Sequence, residues 1–184
     1  MAEDILNRII AFADRAHGAQ TRKYTPDRYI VHPVRVMEIC RMYTQSLPVL
    51  AAALLHDVLE DTATTEEAIR TFLASLMPLA AVQKTMQLVV ELTDIYTKSR
   101  YPQWNRYKRK KMEVARLRRV SAEAQTIKYA DIMDNSGEIV QQDPDFAKRF
   151  LLECRDVLIV ATRGNQELYK RTLEVVTTAL ATIR

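Results

Sequence analysis

Apolar residues recur along this chain with the 3.6-residue period of helices and almost nowhere with the two-residue period of strands. Ile5, Ile9, Phe12 and Ala16 mark one face of a first helix, which Gly18 can end. Pro33 suits the first turn of a second helix, with Val36, Ile39, Cys40 and Tyr43 facing inward. Pro48 opens a third that is apolar on nearly every side from Val49 to Leu55, the signature of a central buried helix. Thr65, followed by Glu66 and Glu67, is a helix start, and Pro78 divides the next stretch into two helices. A basic segment follows, then a helix containing Gln125–Asn135. Pro144 begins a long helix running toward Arg163, with Gly164 as its terminator, and Gln166–Ile183 is the last. No repeat, low-complexity linker or strand pattern stands out. The expectation is an all-α fold, a single helical bundle spanning residues 1–184 with short connections.

Composition narrows the class. At 184 residues there is room for one ordinary domain, and 48% hydrophobic with 27% charged residues excludes disorder. Three glycines and six prolines are too few turn residues for a β-sandwich or barrel. No apolar run reaches the roughly 18–20 residues that cross a bilayer, and the start Met-Ala-Glu-Asp lacks the basic-then-apolar pattern of a signal peptide. Cys40 and Cys154 have no metal-type spacing and suit free thiols in a reducing compartment. A cytoplasmic protein that binds no membrane is expected, and its oligomeric state stays open.

The net charge of +4 conceals a strong asymmetry. Between Arg100 and Arg119 nine Lys/Arg residues face one acid, Glu113, so this stripe carries +8 and the remainder −4. Such a stripe attracts phosphates. It also suits a helix face that simply meets solvent, and charge alone does not choose.

The chemistry concentrates at the end of the apolar helix, in His56-Asp57-Val58-Leu59-Glu60-Asp61. Four ionisable groups directly after a buried helix are costly unless they are paired or bind a metal. At helical spacing His56 shares a face with Glu60, and Asp57 with Asp61. A His-Asp pair needs further ligands from other elements, and the sequence offers His32 and Asp131. Imidazole and carboxylate without thiolate suit Mn²⁺, Fe²⁺ or Zn²⁺ with positions left for water. A buried His–Asp ion pair followed by an acidic helix end is the alternative reading of the same residues.

Four segments lie in one order and at fixed intervals: Ala16-His17-Gly18-Ala19-Gln20-Thr21-Arg22-Lys23-Tyr24-Thr25; Tyr29-Ile30-Val31-His32-Pro33; Ala52 through Thr62; and Ile127-Lys128-Tyr129-Ala130-Asp131-Ile132-Met133-Asp134-Asn135. Together they resemble the HD-domain hydrolases of the RelA/SpoT type, specifically the stand-alone small alarmone hydrolases. The resemblance implies an all-helical HD domain and one divalent ion, usually Mn²⁺, held by His32, His56, Asp57 and Asp131. The implied reaction is removal of the 3′-pyrophosphate from ppGpp-type nucleotides. Two departures fall where a nucleotide would be read. Pro26-Asp27-Arg28-Tyr29 stands where the family commonly has Gly-Glu-Pro-Tyr, and Ile132-Met133-Asp134-Asn135 keeps the Asn of the family's run but replaces its Arg.

Roles follow from the resemblance and from charge. Glu60 is the expected general base, assisted by Asp61; the alternative is a pairing of Glu60 with a cation. Arg22 and Lys23 match the family's Arg-Lys pair beside the metal and would hold phosphate. Arg106, Lys108, Arg109 and Lys110 are the phosphate-contact candidates of the basic stripe, although one helix cannot face all of them inward. Asn135 shares a face with Asp131 and could reach sugar or phosphate, while His17 is a packed helix-end histidine rather than a ligand. The expected partner is a small phosphorylated nucleotide, with no DNA. Alternatives are an HD phosphatase acting on a nucleoside monophosphate or NADPH, and a non-catalytic nucleotide- or RNA-binding module.

Overall fold

The structure, a computed structural model, describes residues 2–183, the side chain of Glu138 excepted. Met1 and Arg184, the ends of the expected 1–184 bundle, lie outside the described residues. The described chain is helical throughout, with no strand beyond a single antiparallel bridge between Thr21 and Arg28. It divides into two compact units, Met1–Thr93 and Asp94–Arg184.

The first unit holds α1 (Ala2–His17), α2 (Val31–Arg41), α3 (Leu47–Leu55), α4 (Val58–Asp61), α5 (Glu66–Ala74) and α6 (Leu79–Leu92). Its centre is α3, whose residues Val49 through Leu55 are all buried. The helix sits among α1, α2 and α6, so its all-round apolarity matches its surroundings. In α1 the buried stripe is Leu6, Ile9, Ala13 and His17. Ile9 is buried as expected, but the rest of the stripe lies one residue on from the expected Ile5, Phe12 and Ala16, which are half-buried flanks. Phe12 nevertheless packs, stacking on Phe72 of α5 with ring centroids 4.2 Å apart. Gly18 ends α1 with φ +58°, a left-handed conformation that glycine adopts without a Cβ penalty. Thr65 caps α5, its hydroxyl accepting from the Ala68 amide, and Pro78 caps α6.

The second unit holds α7 (Arg106–Leu117), α8 (Ala122–Gln142), α9 (Pro144–Val160) and α10 (Gln166–Thr182). Both α9 and α10 pack on α8, and α7 packs on α9. The helix from Pro144 stops at Val160, short of Gly164, so Gly164 is not its terminator as the sequence suggested. A Cβ there would come within 2.5 Å of Tyr129 Cε2 and 2.9 Å of the Thr126 amide nitrogen. Glycine is required because this turn lies against α8. Tyr129, fully buried, fixes the turn by donating its hydroxyl to the Ala161 carbonyl at 2.5 Å.

Candidate metal centre

The apolar helix does not run on through the charged segment as the sequence pattern implied. It ends at Leu55, and Asp57 opens the short α4 with φ −97° and ψ −9°. In a regular helix, consecutive side chains point about 100° apart. The interruption falls at a dipeptide whose side chains meet. His56 Nε2 lies 3.1 Å from Asp57 Oδ2. His32, in the first turn of α2, brings its Nε2 to 3.6 Å from the same oxygen. One ligand atom from each of His32, His56 and Asp57 falls within 4.8 Å of the others. Both imidazoles are buried, their rings meeting edge to face at 5.2 Å.

The donor set fits a cation. His56 Nδ1 lies 2.8 Å from the Ala53 carbonyl, which can only accept, so Nδ1 carries the proton. In the neutral ring Nε2 then turns a lone pair toward a carboxylate oxygen, an arrangement a divalent ion satisfies. The Asp57 side chain makes no capping bond to α4. A protonated His56 paired with Asp57 would satisfy the same geometry.

Tyr29 stands beside these groups, a residue the sequence supplied only as part of a motif. Its hydroxyl donates to Asp57 Oδ2 at 2.6 Å and lies 3.1 Å from Asp61 Oδ2. Burial, and then the charge of Asp57, push the Asp61 carboxyl above the usual carboxylate range, against the nearby Tyr29 hydroxyl, His17 and His56. Glu60 is exposed on α4. His17 is buried at the end of α1, its ring 4.5 Å from that of Tyr29. His17 Nδ1 meets Gln20 Oε1 at 2.9 Å, while Nε2 has no hydrogen-bond partner among the described residues. Arg22 is half-buried, its amide bonded to the Asp27 carbonyl. The Lys23 ammonium sits over the Tyr24 ring at 4.5 Å and donates to its hydroxyl.

Asp131 belongs to the second unit, on α8, where it is buried. Lys128 Nζ holds its Oδ2 and Asn135 Nδ2 its Oδ1, each at 2.7 Å. Asn135, expected to meet sugar or phosphate, is thus spent in part on orienting Asp131. The positions i−3 and i+4 put both partners on that face, so the spacing alone signals Lys128 as a neighbour of Asp131.

The basic stripe is less available than its sequence implies. Arg106 grips Glu153 with two hydrogen bonds of 2.8 and 2.6 Å, and this contact holds its guanidinium above the ordinary arginine range. Lys110 pairs with Asp94 at 2.9 Å, Arg109 donates to the Trp104 carbonyl, and the Lys108 ammonium sits 4.3 Å above the Trp104 ring. Trp104 in turn stacks with Tyr96 and Tyr101. Glu113, the stripe's one acid, is the organiser: its Oε1 accepts from the amides of Ile95 and Tyr96 and its Oε2 from Arg116. Within the same unit, a cavity of about 390 Å³ has apolar walls that include Val114, Ile132 and Phe150, with Lys110, Asp131 and Asn135 on its lining.

The HD domain family model matches residues 10–158. The chain is 45% identical over 69 residues to the guanosine-3′,5′-bis(diphosphate) 3′-pyrophosphohydrolase of Aquifex aeolicus, covering 38% of this chain and 10% of that protein. It is 27% identical over 157 residues to the probable enzyme of the same name from Synechocystis, covering 83% of this chain and 19% of that one. The chain thus spans a fifth or less of the length of these two relatives. Among solved structures, a metazoan ortholog of SpoT described as hydrolysing ppGpp shares the fold, with a TM-score of 0.79 at 24% identity over 95% of this chain and 94% of that one. With the family match running from α1 almost to the end of α9, over a fold that this structure shares, the chain belongs to the HD domain family.

Proposed function

We propose that this chain is a metal-dependent hydrolase that removes the 3′-pyrophosphate from (p)ppGpp-type or adenosine-analogue nucleotides, acting in the cytoplasm with both units forming one catalytic domain. The observation that carries the reading is the meeting of His32, His56 and Asp57 at an interruption of the most buried helix. The Aquifex aeolicus and Synechocystis relatives carry 3′-pyrophosphohydrolase names, which supports the same chemistry here. Asp131 is the fourth ligand in this reading, and Mn²⁺ the expected ion. A divalent ion held by these residues supplies an acidified water and neutralises phosphoryl charge.

The remaining steps belong to the protein. Glu60, exposed on α4 one turn from His56, takes the proton of the attacking water, and Asp61 orients it. Lys128 and Asn135 keep the Asp131 carboxylate in one orientation. Arg22 and Lys23 grip the phosphates; of the stripe, Lys108, Arg109 and the partly engaged Arg106 and Lys110 add attraction. The cavity has the size of a small-molecule site and apolar walls suited to a nucleoside.

The test is a panel of guanosine and adenosine 3′-pyrophosphates incubated with the protein and Mn²⁺, the products separated by anion exchange. Release of pyrophosphate is expected. Orthophosphate alone, or release only from a nucleoside monophosphate or NADPH, would replace the reading with that of an HD phosphatase. Nucleotide or RNA binding without turnover would make the chain a binding module.

A further inference from the structure

A metal ligand is only as good as whatever holds it still, and Asp57 is the most exposed of the three clustered groups, its side chain 21% accessible against 1% for His32 and 4% for His56. We propose that Tyr29 and His17 are positioning residues for the centre: His17, fixed by Gln20, braces the Tyr29 ring so that its hydroxyl pins the Asp57 carboxylate beside Asp61. The inference rests on the reading of Asp57 as a metal ligand.

Three observations carry it. The phenol has one proton to give. At 2.6 Å, against 3.1 Å to Asp61, it goes to Asp57, and to Oδ2, the same oxygen that faces both imidazoles. A hydrogen bond of that length to a carboxylate is charge-assisted and directional. It limits rotation of a side chain that no capping bond restrains. The Tyr29 ring lies between two imidazoles, 4.5 Å from His17 and edge-on to His32 at 6.0 Å. Finally, the Gln20 carbonyl oxygen requires a proton on His17 Nδ1, and with Nε2 unbonded among the described residues, Gln20 sets the rotation of the bracing ring. The chain Gln20–His17–Tyr29–Asp57 therefore runs from the end of α1 to the centre without a gap.

The experiment titrates metal-stripped protein with Mn²⁺ by calorimetry for the wild type, Tyr29→Phe, His17→Ala and the double variant. Circular dichroism and a thermal melt check that each is folded. Tyr29→Phe keeps the ring and removes only the hydroxyl. It should weaken Mn²⁺ binding about tenfold or more, in the range seen when a ligand loses its outer hydrogen bond, and lower kcat while leaving KM unchanged. His17→Ala should weaken Mn²⁺ in the same direction. Because it acts through Tyr29, it should add little in the Tyr29→Phe background. Wild-type Mn²⁺ affinity in Tyr29→Phe would overturn the inference while leaving the metal centre intact. A full additional loss from His17→Ala in the double variant would remove His17 from the chain. A wild-type protein that binds no Mn²⁺ would overturn the ligand reading itself, and this inference with it.

Discussion

Replacing Glu113 by glutamine removes a charge from the middle of a basic helix, and surface electrostatics alone would make that change trivial. The structure argues otherwise. Glu113 is 3% exposed; its Oε1 accepts two backbone amides, Ile95 and Tyr96, both at 2.6 Å, and its Oε2 takes Arg116 Nε at 2.7 Å. Glutamine keeps one carbonyl acceptor for the amides but turns an NH₂ group toward the Arg116 guanidinium, whose side chain is only 15% exposed. Breaking a buried ion pair by removing one partner costs about 3–5 kcal/mol. Arg116 retains some access to water, so the lower end, about 3 kcal/mol, applies. For a chain of this size that lowers Tm by roughly 6–12 °C. Melting followed by circular dichroism gives the global value, and fluorescence of Trp104, the chain's only tryptophan, reports on the loop that Glu113 anchors. Glu113→Gln with Arg116→Met should recover at least half the loss, since both members of the ion pair are then removed together. A melt within 1 °C of wild type for the single variant, or a double variant no better than the single, would refute the strut.

Gly164→Ala should destabilise by about 1–3 kcal/mol, because its Cβ would press on Tyr129 and on the backbone of Thr126; a neutral or raised melting temperature would contradict the close-approach account. Burial pushes the Cys40 and Cys154 thiols from 9.0 up to about 12. Between those values the unfolded chain has released protons that the folded one keeps, so stability falls as pH rises. Cys40→Val should therefore lose about 1–2 kcal/mol less than wild type between pH 9 and 10.5 in urea unfolding, and equal losses would show the thiol is not protected. Glu60→Gln should keep Mn²⁺ bound while turnover drops by about two orders of magnitude, and undiminished turnover would take the base role from Glu60.

What could be read from the sequence was local. Gly18, Thr65 and Pro78 mark helix boundaries because capping depends on a few consecutive residues, and the buried helix announces itself in seven apolar positions. His32, His56 and Asp57 were legible through their motifs and do meet. The contacts missed depend on chain folding over longer distances. Arg106 finds Glu153 and Lys110 finds Asp94, 47 and 16 residues away, so cations that spacing offered to phosphate already hold carboxylates. Gly164 reads locally as a helix stop, whereas its demand arises from Tyr129, 35 residues earlier. The interruption at Asp57 escaped for a different reason: Leu55-His56-Asp57-Val58 carries no proline or glycine, and nothing in its local propensities ends a helix there.

That interruption says most about how the chain turns a core into a site. A metal centre needs ligands near a dry interior, yet an unpaired carboxylate inside a helix that is apolar on all sides would be costly. The chain ends its most buried helix at Leu55 and spends the next two residues on chemistry. His56 turns Nδ1 back to the Ala53 carbonyl, so a backbone acceptor of the helix end and the orientation of a ligand are settled by one bond. Asp57 begins α4 without capping it, and its Oδ2 faces neighbours outside that helix, His32, His56 and Tyr29. On α8 the solution is different: Asp131 stays within a continuous helix and is compensated from its own face by Lys128 and Asn135. A substitution that restores regular helix through His56 and Asp57 would thus improve the secondary structure while taking the ligands apart. The helix is shorter than its sequence permits because the two side chains after it must meet.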